Sequence, residues 1–477
     1  MGPISGKKVL VVGIARSGAA AARLLASRGA IVIANDLKSE SELVDAAGEL
    51  RKLGVMLSLG GHPESLFANA DLIVLSPGVP ADLAPLELAR NAGIEIISEP
   101  ELAGQFLRGR MIGVTGSNGK TTVTSLIGEL MQAAGAEVIV GGNIGTPLTS
   151  LIERAKDNTW TVAELSSFQL EMIDTLRVHV AVVTNITPDH LDRHGSFENY
   201  VRAKHRIFSN QTEDDWAVLN GQDQGVADMV ANFGVSSRKV YFNSGGRETL
   251  TGALADVYAR SGRVCTTMTT DYRGEVEVMG VDEIPLPGMH NVENVMTALA
   301  ATFCAMGTEV DELPVLREAI KRFKGVEHRI EYVAEIGGIK FYNDSKATNV
   351  DSTLKALEAF ERNIIVILGG KDKGSDYTVL APLIRDRVKL IVLIGAASEK
   401  IAEQLKGASS MTRARSMQDA VLRAMEVAAA GDVVLLAPAC ASFDMFDNYE
   451  HRGRVFKEAV YKLASRVHSG WTGRLTT

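Results

Sequence analysis

The feature that most constrains the fold is a recurring pattern, in which a short apolar run ends at a glycine or a polar turn and a helical stretch follows. It appears at KVLVVG (8–13), restarts at MIGVTGSNGKTT (111–122) and restarts again at NIIVILGG (363–370). Short apolar runs separated by helical periodicity are typical of buried strands joined by βαβ crossovers. Because such crossovers join parallel strands, the pattern predicts an α/β fold with mostly parallel sheets.

The three restarts predict three domains in a chain of 477 residues, which is about three times the length of a typical domain. We place a Rossmann-like domain at 1–100, a central P-loop ATPase-like domain with a mostly parallel sheet at 101–325, and a second Rossmann-like α/β domain at 326–477. The first boundary falls where Ser98-Glu99-Pro100 interrupts the pattern. Between about 236 and 285, short alternating runs predict an antiparallel excursion of the central sheet.

Composition excludes several classes of protein. The formal net charge of -8 argues against a general nucleic-acid binder. No apolar run approaches the roughly 18 residues of a membrane span, and MGPISGKKV lacks the apolar stretch of a signal peptide. We therefore expect a cytoplasmic protein without stable membrane insertion. Cys265, Cys304 and Cys440 include no close pair, which excludes a disulfide framework and a cysteine-based structural zinc site.

The segment TGSNGKTT (115–122) follows an apolar strand and precedes a helical stripe, which is the context of a phosphate-binding loop. Gly116 and Gly119 let the backbone curl so that successive N–H groups face an anion. Lys120 supplies a positive charge, and the Thr121 hydroxyl can ligate magnesium. A glycine-rich turn with an incidental lysine is the alternative. The pattern predicts binding of ATP or another nucleoside triphosphate.

The first loop, GIARSG (13–18), has a weaker signal. Together with Asp36 at the end of the second strand, it suggests a dinucleotide fold. However, Ala15 and Arg16 replace the middle glycine of the usual fingerprint, so close approach of the backbone to a pyrophosphate is in doubt. A nucleotide-like ligand at this helix start, a nicotinamide cofactor and a tight turn without a ligand all remain possible.

Further polar residues follow apolar strands of the central region. TVAELSSFQL places Glu164 at a strand end, where a carboxylate suits a magnesium ion that bridges ATP phosphates. The next strand end carries Asp189, His190 and His194, and a helix with Lys204 follows. Loop capping would also explain this cluster, an ordinary surface lysine would explain Lys204, and a zinc site on the two histidines is a further alternative.

At these motifs the chain resembles the ATP-dependent Mur ligases, and the resemblance covers nearly the whole chain. It rests on TGSNGKTT together with GGNIGTP (141–147), ELSSFQLE (164–171), NITPDHLDRH (185–194), GMHNVENVMTALAA (288–301), EHRIE (327–331), YNDSKATN (342–349), LGGKDKGSDY (368–377) and PACASFDMFDNYEHRG (438–453). Tyr449 departs from the pattern, since some members carry Phe there.

The resemblance implies an acid–amino-acid ligase of peptidoglycan precursor synthesis, a step of cell wall biogenesis on which cell shape and cell division depend. NDSKATN and ACASFD point to the glutamate-adding member. The implied reaction joins D-glutamate to UDP-N-acetylmuramoyl-L-alanine through an acyl phosphate, in a monomer that uses ATP and two Mg²⁺ ions. An L-glutamate-adding ligase on the same nucleotide is the nearest alternative. A nicotinamide-dependent dehydrogenase and a non-catalytic ATP-switched protein are more distant ones.

The resemblance also implies residue roles. The implied catalytic residues are Lys120, Glu164, His190 and Lys204. The implied ATP contacts are Gly116, Ser117, Asn118, Gly119, Lys120, Thr121, Thr122, Asn291, Asn294, His328, Arg329 and Asp344. The implied contacts of the UDP-sugar are Arg16, Ser17, Asp36, Lys38, Ser76, Gly78 and Asn143. The implied glutamate contacts are Asp189, Lys346, Thr348, Lys373, Ser442 and Phe443. The implied metal ligands are Thr121, Glu164, His190 and Lys204, the last as a carbamate.

Overall fold

The computed structural model describes residues 4–80 and 82–468, apart from the side chains of Asp192 and of residues 466–468. In this part of the chain, one compact unit contains the residues up to 283 together with 293–321, and a second contains 284–292 together with the residues from 322 onward. Three separate sheets form the framework. The predicted α/β fold class is therefore confirmed, whereas the domain boundaries near 100 and 325 stay predictions.

The first sheet is fully parallel, with the order β3-β2-β1-β4-β5. Its strands are β1 (Lys8–Val12), β2 (Ile31–Asp36), β3 (Met56–Leu59), β4 (Leu72–Leu75) and β5 (Glu95–Ser98). Its helices are α1 (Arg16–Ser27), α2 (Val44–Lys52), α3 (Glu64–Ala68) and α4 (Ala84–Asn91). The strand order reverses between β1 and β4, so the turns after these two strands flank a crevice of the kind that binds ligands in open α/β sheets.

The second sheet has nine strands in the order β14-β13-β12-β11-β10-β9-β6-β8-β7. Its strands are β6 (Arg110–Thr115), β7 (Val138–Gly142), β8 (Trp160–Glu164), β9 (Val180–Val183), β10 (Trp216–Asn220), β11 (Arg238–Asn243), β12 (Val257–Arg260), β13 (Arg263–Thr266) and β14 (Val276–Gly280). The helices along this stretch are α5 (Glu99–Gly104), α6 (Lys120–Ala133), α7 (Ser167–Leu170), α8 (Leu191–His194), α9 (Phe197–His205), α10 (Gln224–Phe233), α11 (Met289–Met306) and α12 (Leu313–Arg322).

The antiparallel excursion is confirmed for β12, β13 and β14 but is wrong for β11, which pairs parallel with β10 and β12. The reason is that α10 forms one more βαβ crossover before the hairpins begin. The strand β6 lies between β8 and β9, so the loop that follows it is flanked by the ends of these two parallel strands. The apolar stripe predicted for α6 is buried at Val123, Ile127 and Leu130, and this anchors the helix on the sheet.

The third sheet has the order β15-β16-β20-β17-β18-β19, with an antiparallel pair of β15 and β16 and parallel pairs elsewhere. Its strands are β15 (Glu331–Ile336), β16 (Ile339–Asn343), β17 (Ile364–Gly369), β18 (Val388–Ile394), β19 (Ser410–Arg413) and β20 (Val433–Leu436). Its helices are α13 (Val350–Glu358), α14 (Ala381–Arg387), α15 (Ser398–Gln404), α16 (Met417–Val427) and α17 (Tyr449–His468).

Apolar clusters cover both faces of this third sheet. The parallel strands β16, β20 and β17 are neighbours, so their carboxyl ends bring the loops that follow them to one edge. These loops carry the motifs NDSKATN, PACAS and GGKDKG. Among the helices that the structure describes, none combines the length and the apolar character needed to cross a bilayer.

Candidate active site

The loop between β6 and α6 can adopt its conformation only with glycine at two positions. Gly116 has φ 139° and Gly119 has φ 87°, both in the region that disfavours other residues. A Cβ atom on Gly116 would lie 2.0 Å from Oγ1 of Thr184, and one on Gly119 would lie 2.6 Å from Oδ1 of Asn294. The loop therefore packs closely against its neighbours, and Asn294, a predicted ATP contact, lies against it.

Residues from the loop after β9 hold the phosphate loop in place. Asn185 accepts a hydrogen bond from the Asn118 amide at 2.8 Å, and the Thr184 hydroxyl donates to the Asn118 carbonyl at 2.5 Å. The Ser117 hydroxyl bonds the Thr187 carbonyl at 2.8 Å. Sequence reasoning missed the role of Thr184 and Asn185. A signal existed, because both residues directly follow an apolar strand at the same sheet edge.

Lys120 folds back over the loop that precedes it. Its Nζ donates to the carbonyl oxygens of Gly116 and Ser117, each at 2.7 Å. Gly119 occupies the cap position of α6, and Thr121 and Thr122 are buried in the first helical turn. A positive charge thus lies beside a helix N-terminus, and this combination attracts phosphate groups.

A buried carboxylate faces this helix start. Glu164 is 1% exposed, accepts a hydrogen bond from the Thr121 hydroxyl at 2.7 Å on one oxygen, and accepts one from Asn143 at 2.8 Å on the other. A hydroxyl and a carboxylate are hard oxygen donors of the kind that magnesium prefers, so this pair fits the ion. Asn143, an expected contact of the UDP-sugar, lies beside this carboxylate.

Lys204 is 2% exposed, so the alternative of an ordinary surface lysine is wrong. Its Nζ donates to the Gly116 carbonyl at 2.7 Å and lies 4.6 Å from the ring centroid of Tyr200. The same carbonyl oxygen accepts a hydrogen bond from Lys120. Burial, followed by repulsion from Lys120, lowers the pKa of Lys204 well below its ordinary value. The lowered pKa favours the neutral amine.

The two histidines of the neighbouring loop differ in their surroundings. His190 has φ 52°, and its side chain is 42% exposed. Its Nε2 lies 3.6 Å from the Asp189 carboxylate. His194 is buried, with Nε2 2.9 Å from the Ser167 hydroxyl and Nδ1 2.9 Å from the Glu171 carboxylate. Because both ring nitrogens of His194 contact protein groups, the geometry gives no support to a zinc site on the two histidines.

In the first sheet, Asp36 fastens the loop that precedes α1. Its carboxylate accepts hydrogen bonds from the amides of Ile14 at 2.8 Å and Lys38 at 2.9 Å. Arg16 is exposed at the start of α1 and lines a cavity of about 380 Å³. The remaining predicted UDP-sugar contacts of this sheet lie beside the crevice, Ser17 in the first turn of α1 and Ser76 and Gly78 in the turn after β4.

In the second unit, buried groups gather around the loop before β15. His328 has φ 67°, and its Nδ1 lies 2.9 Å from Nδ2 of Asn343. Burial raises the pKa of Asp344 to about 7, although the Arg329 guanidinium acts in the opposite direction. Lys457 donates to the carboxylates of Glu327 at 2.6 Å and Glu331 at 2.9 Å, so its single positive charge offsets part of the negative charge of this acidic pair near His328.

The predicted glutamate contacts of the second unit have unequal exposure. Ser442 is buried, and Nζ of Lys346 lies 5.7 Å from the ring centroid of Tyr449. Lys373 is exposed and Phe443 is 68% exposed. The amide of Thr348, another predicted glutamate contact, donates to the Lys346 carbonyl at 2.8 Å. Asn291, a predicted ATP contact of the same unit, donates to the Pro287 carbonyl at 2.7 Å.

Arg452 joins two of these loops by hydrogen bonds, a role that sequence reasoning missed. It is 1% exposed and donates from Nε to the Ser345 hydroxyl at 2.9 Å, from Nη2 to the Ser345 carbonyl at 2.7 Å, and from Nη1 to the Cys440 carbonyl at 3.0 Å. These bonds fasten the loop after β16 to the loop after β20. Lys346 follows Ser345 directly, so Arg452 supports a predicted glutamate contact.

Comparison with family models shows the class of protein to which this fold and site belong. Residues 7–98 match the Mur ligase MurD-like N-terminal domain, residues 114–302 the Mur ligase middle domain, and residues 328–440 the Mur ligase glutamate ligase domain. The chain therefore belongs to the Mur ligase family of ATP-dependent amide ligases. This membership excludes the two more distant alternatives, a nicotinamide-dependent dehydrogenase and a non-catalytic ATP-switched protein.

Individual relatives indicate named members of the family that this chain resembles. A protein of Koribacter versatilis named UDP-N-acetylmuramoylalanine--D-glutamate ligase is 48% identical over 97% of this chain and 99% of its own length. A protein of Geotalea daltonii with the same name is 47% identical over 97% of this chain and 98% of its own. A solved UDP-N-acetylmuramate-alanine ligase of Thermotoga maritima shares the fold, with a TM-score of 0.59, 21% identity and coverage of 96% of this chain and 100% of its own.

Proposed function

We propose that this chain is an ATP-dependent ligase that adds D-glutamate to UDP-N-acetylmuramoyl-L-alanine, a cytoplasmic step of peptidoglycan precursor synthesis. The observation that carries the proposal is the site at the edge of the second sheet. There the Thr121–Glu164 pair lies beside a phosphate loop whose Gly116 carbonyl accepts hydrogen bonds from two lysines. The name shared by relatives that are 44–48% identical supports the choice of D-glutamate over L-glutamate.

The first step activates the acyl donor, because joining a carboxylate to an amine in water is uphill. The terminal carboxylate of the nucleotide attacks the γ-phosphorus of ATP, which forms the acyl–phosphate bond and breaks the bond to ADP. Phosphoryl transfer depends chiefly on positioning and on electrostatic stabilisation. We propose that Lys120, at the start of α6, binds the phosphate oxygens as the charge moves between them.

The metal ligands fall into two groups, and we propose one Mg²⁺ site for each. Thr121 and Glu164 would hold the first ion, and His190 with a carbamylated Lys204 would hold the second. When bound, Mg²⁺ would supply neutralisation of charge on the transferring oxygens. An ammonium group is a poor ligand for a cation, whereas a carbamate is a carboxylate-like oxygen ligand.

The burial of Lys204 provides a physical reason for carbamylation. Its lowered pKa leaves the amine neutral more readily than that of a surface lysine. The neutral nitrogen attacks the carbon of CO₂, an N–C bond forms, and one proton is released to solvent. The anionic product would offset the nearby charge of Lys120, which otherwise disfavours a second cation in this position.

The second step forms the amide. The neutral glutamate amine attacks the acyl phosphate carbonyl and forms the C–N bond, and one amine proton passes to solvent. The tetrahedral intermediate then collapses as the acyl C–O bond breaks and phosphate leaves. We propose that the amino acid is received by Asp189 and by residues of the second unit, which are Lys346, Thr348, Lys373, Ser442 and Phe443. Two lysines in this set suit a dicarboxylate substrate.

The remaining predicted contacts divide between the two nucleotides. Asn291, Asn294, His328, Arg329 and Asp344 would bind ATP, together with Ser117, Asn118 and Thr122 of the phosphate loop. Arg16, Ser17, Asp36, Lys38, Ser76, Gly78 and Asn143 would bind the UDP-sugar. We assign these tasks to domains at 1–100, 101–325 and 326–477, for the UDP-sugar, for ATP and for glutamate respectively, in a monomeric enzyme.

The test is phosphate release from ATP in the presence of UDP-N-acetylmuramoyl-L-alanine, compared for D-glutamate, L-glutamate and no amino acid. The proposal predicts release that depends on D-glutamate and on Mg²⁺, with an amide product detected by mass spectrometry. Release that depends on L-glutamate would assign the chain to the L-glutamate-adding ligases. Absence of amide product with either amino acid would overturn the proposal.

A further inference from the structure

Arg193 links the first sheet to the loop that carries His190. Arg193, in α8, donates from Nη1 to the carbonyl oxygen of Pro77 at 2.7 Å and from Nη2 to that of Val79 at 2.6 Å. These two carbonyls belong to the turn after β4, which contains the predicted UDP-sugar contacts Ser76 and Gly78. The arginine therefore holds this turn with both ends of its guanidinium group.

The same guanidinium group also contacts a residue next to the predicted metal ligand His190. Its carbon lies 4.0 Å from the ring centroid of Phe168, within the range of a cation–π interaction. The Phe168 ring in turn lies 5.0 Å from the ring of His190 and 5.2 Å from that of His194, measured between centroids. Arg193 is thus packed against the Phe168 ring, which itself contacts the predicted metal ligand His190.

The turn that Arg193 holds is closely packed on the first loop. The Val79 amide donates to the Ser76 carbonyl at 3.0 Å, which closes the turn. A Cβ atom on Gly13 would lie 2.6 Å from Cγ2 of Val79 and 2.9 Å from Cβ of Ser76, so there is no spare room between the two segments. A shift of the turn would therefore displace the loop that leads into α1.

The chemistry of the contact makes it directional. Two N–H groups of one planar, charged fork donate to two carbonyls, and charge-assisted bonds of this kind are stronger than neutral ones. A lysine carries one charge on a flexible stem and cannot reproduce the fork. The contact thus fixes both the distance and the orientation of the turn relative to the His190 loop.

We propose that Arg193 is a positioning residue that sets the distance between the crevice that anchors the nucleotide and the site where its terminal carboxylate reacts. The inference rests on the proposed function, in which one substrate occupies both places. A substrate anchored at one end reacts at the other only if the two places are in register. Loss of the contact should therefore slow the reaction more than it weakens nucleotide binding.

The kinetic test compares Arg193→Ala and Arg193→Lys with the control Arg177→Ala. Arg177 also donates hydrogen bonds through its guanidinium group, two to Asp215 and one to Thr212, but it lies before the amino end of β9, away from the site. In Arg193→Ala, kcat should fall ~10- to 100-fold, the scale expected for a misplacement of about 1 Å. The dissociation constant of the nucleotide, measured calorimetrically without ATP, should change far less.

Added guanidinium should restore part of the activity of Arg193→Ala, and Arg193→Lys should retain an intermediate kcat. The control should keep the wild-type kcat even if its thermal stability falls. Wild-type kcat in Arg193→Ala would overturn the inference. A loss of kcat that guanidinium leaves unchanged and that follows the loss of thermal stability would also overturn it.

A second readout needs no turnover and separates this inference from the proposed function. Hydrogen exchange of the Val79 amide reports on the turn directly. Exchange should be faster in Arg193→Ala than in the wild type and unchanged in Arg177→Ala. If the wild type forms no amide, the proposed function fails, while faster exchange still supports the contact as the restraint on the turn. Equal exchange in all three proteins would overturn the inference.

Discussion

Lys204 in the first unit and Arg452 in the second are both cationic side chains that the fold buries almost completely, at 2% and 1% exposure. Their surroundings differ. Lys204 donates to the Gly116 carbonyl, which also accepts from Lys120. Arg452 donates three hydrogen bonds to Ser345 and Cys440. Burial lowers the pKa of Arg452 to about 10, so this side chain stays charged near neutrality, whereas the pKa of Lys204 lies well below its ordinary value.

The difference teaches that burial by itself does not separate a structural cation from a reactive one. A buried charge is tolerated when hydrogen bonds replace the water it has lost. Arg452 meets this condition and fastens two loops. Lys204 shares its acceptor with a second lysine, and burial together with the charge of Lys120 shifts its pKa toward the neutral form that the proposed carbamylation needs.

The largest expected effect is that of Lys204→Ala. Loss of the proposed carbamate ligand should reduce kcat by at least ~100-fold, the scale for removing one preorganised electrostatic group. Short carboxylates such as formate or acetate should restore part of the activity, since they can occupy the space of the carbamate. Steady-state kinetics with and without the added acids checks this prediction.

The matched control for Lys204 is Arg202→Ala on the same helix. Arg202 lies on the outer face of α9 and pairs with Glu198 at 2.9 Å, so its removal should leave kcat unchanged. Full activity of Lys204→Ala would show that Lys204 takes no part in the mechanism. The contrast between Lys204 and Arg452 would then have no functional meaning.

The second prediction concerns stability. Arg452→Met fills a similar volume but leaves the acceptors on Ser345 and Cys440 without their donors. Unfolding free energy should fall by about 3 kcal/mol, the scale for leaving a buried polar network unsatisfied. Urea unfolding measures this loss, and the KM for glutamate should rise because Lys346 adjoins the loosened loop.

The control on the same helix is Tyr461→Ala, at a position that is 52% exposed. Its stability should lie close to that of the wild type. If Arg452→Met matched the wild type in both stability and KM, Arg452 would not be the clamp that its three hydrogen bonds indicate.

The smallest expected effect extends the comparison to two carboxylates of α5. Glu99 accepts from the amide and hydroxyl of Thr149 on one oxygen, and burial raises its pKa to about 7. Burial also acts on Glu101, but hydrogen bonds from Thr175, Asp174 and Leu176 outweigh it and lower the pKa of Glu101. Burial favours the protonated form of both carboxylates, and the larger number of hydrogen bonds favours the charged form of Glu101.

The raised pKa of Glu99 predicts the sign of a pH effect. Between its usual value of 4.5 and about 7, the folded state binds the proton more tightly than the unfolded state. The contribution of Glu99 to stability is therefore full below that window and is lost as the pH rises through it. Relative to the wild type, Glu99→Gln should gain about 2 kcal/mol between pH 5 and pH 8.

Urea unfolding of both proteins at the two pH values checks this prediction, with Glu101→Gln as the control. Glu101→Gln should show no such gain, because the wild-type carboxylate is already favoured by its hydrogen bonds. An equal stability difference between Glu99→Gln and the wild type at both pH values would contradict the assignment of a raised pKa.

Much of the fold could be predicted, because apolar runs that end in glycine or a polar turn and are followed by helical stretches indicate a parallel sheet. The phosphate loop and Glu164 were visible for the same reason, since each directly follows such a strand. The strand β3 was missed, because Met56 is exposed, the other three residues are only partly buried, and Ser58 interrupts the apolar run. The parallel pairing of β11 depends on its partner strands, which local periodicity cannot identify.

The burial of the two cations was harder to predict, although a signal exists. Lys204 lies four residues after the buried Tyr200, and Arg452 lies four residues before the buried Phe456. Each charge therefore falls on the apolar stripe of its helix. The proposed difference in reactivity between the two depends on Lys120 and on the loops around Arg452, and these are brought together only by tertiary folding.

The central claim is that Lys204 is a buried neutral amine that becomes a carbamate. Carbon-13 NMR of the protein equilibrated with labelled bicarbonate tests it most directly. The account predicts a carbamate resonance in the wild type and in Arg202→Ala, and none in Lys204→Ala. A fully active wild-type enzyme without that resonance would contradict the account.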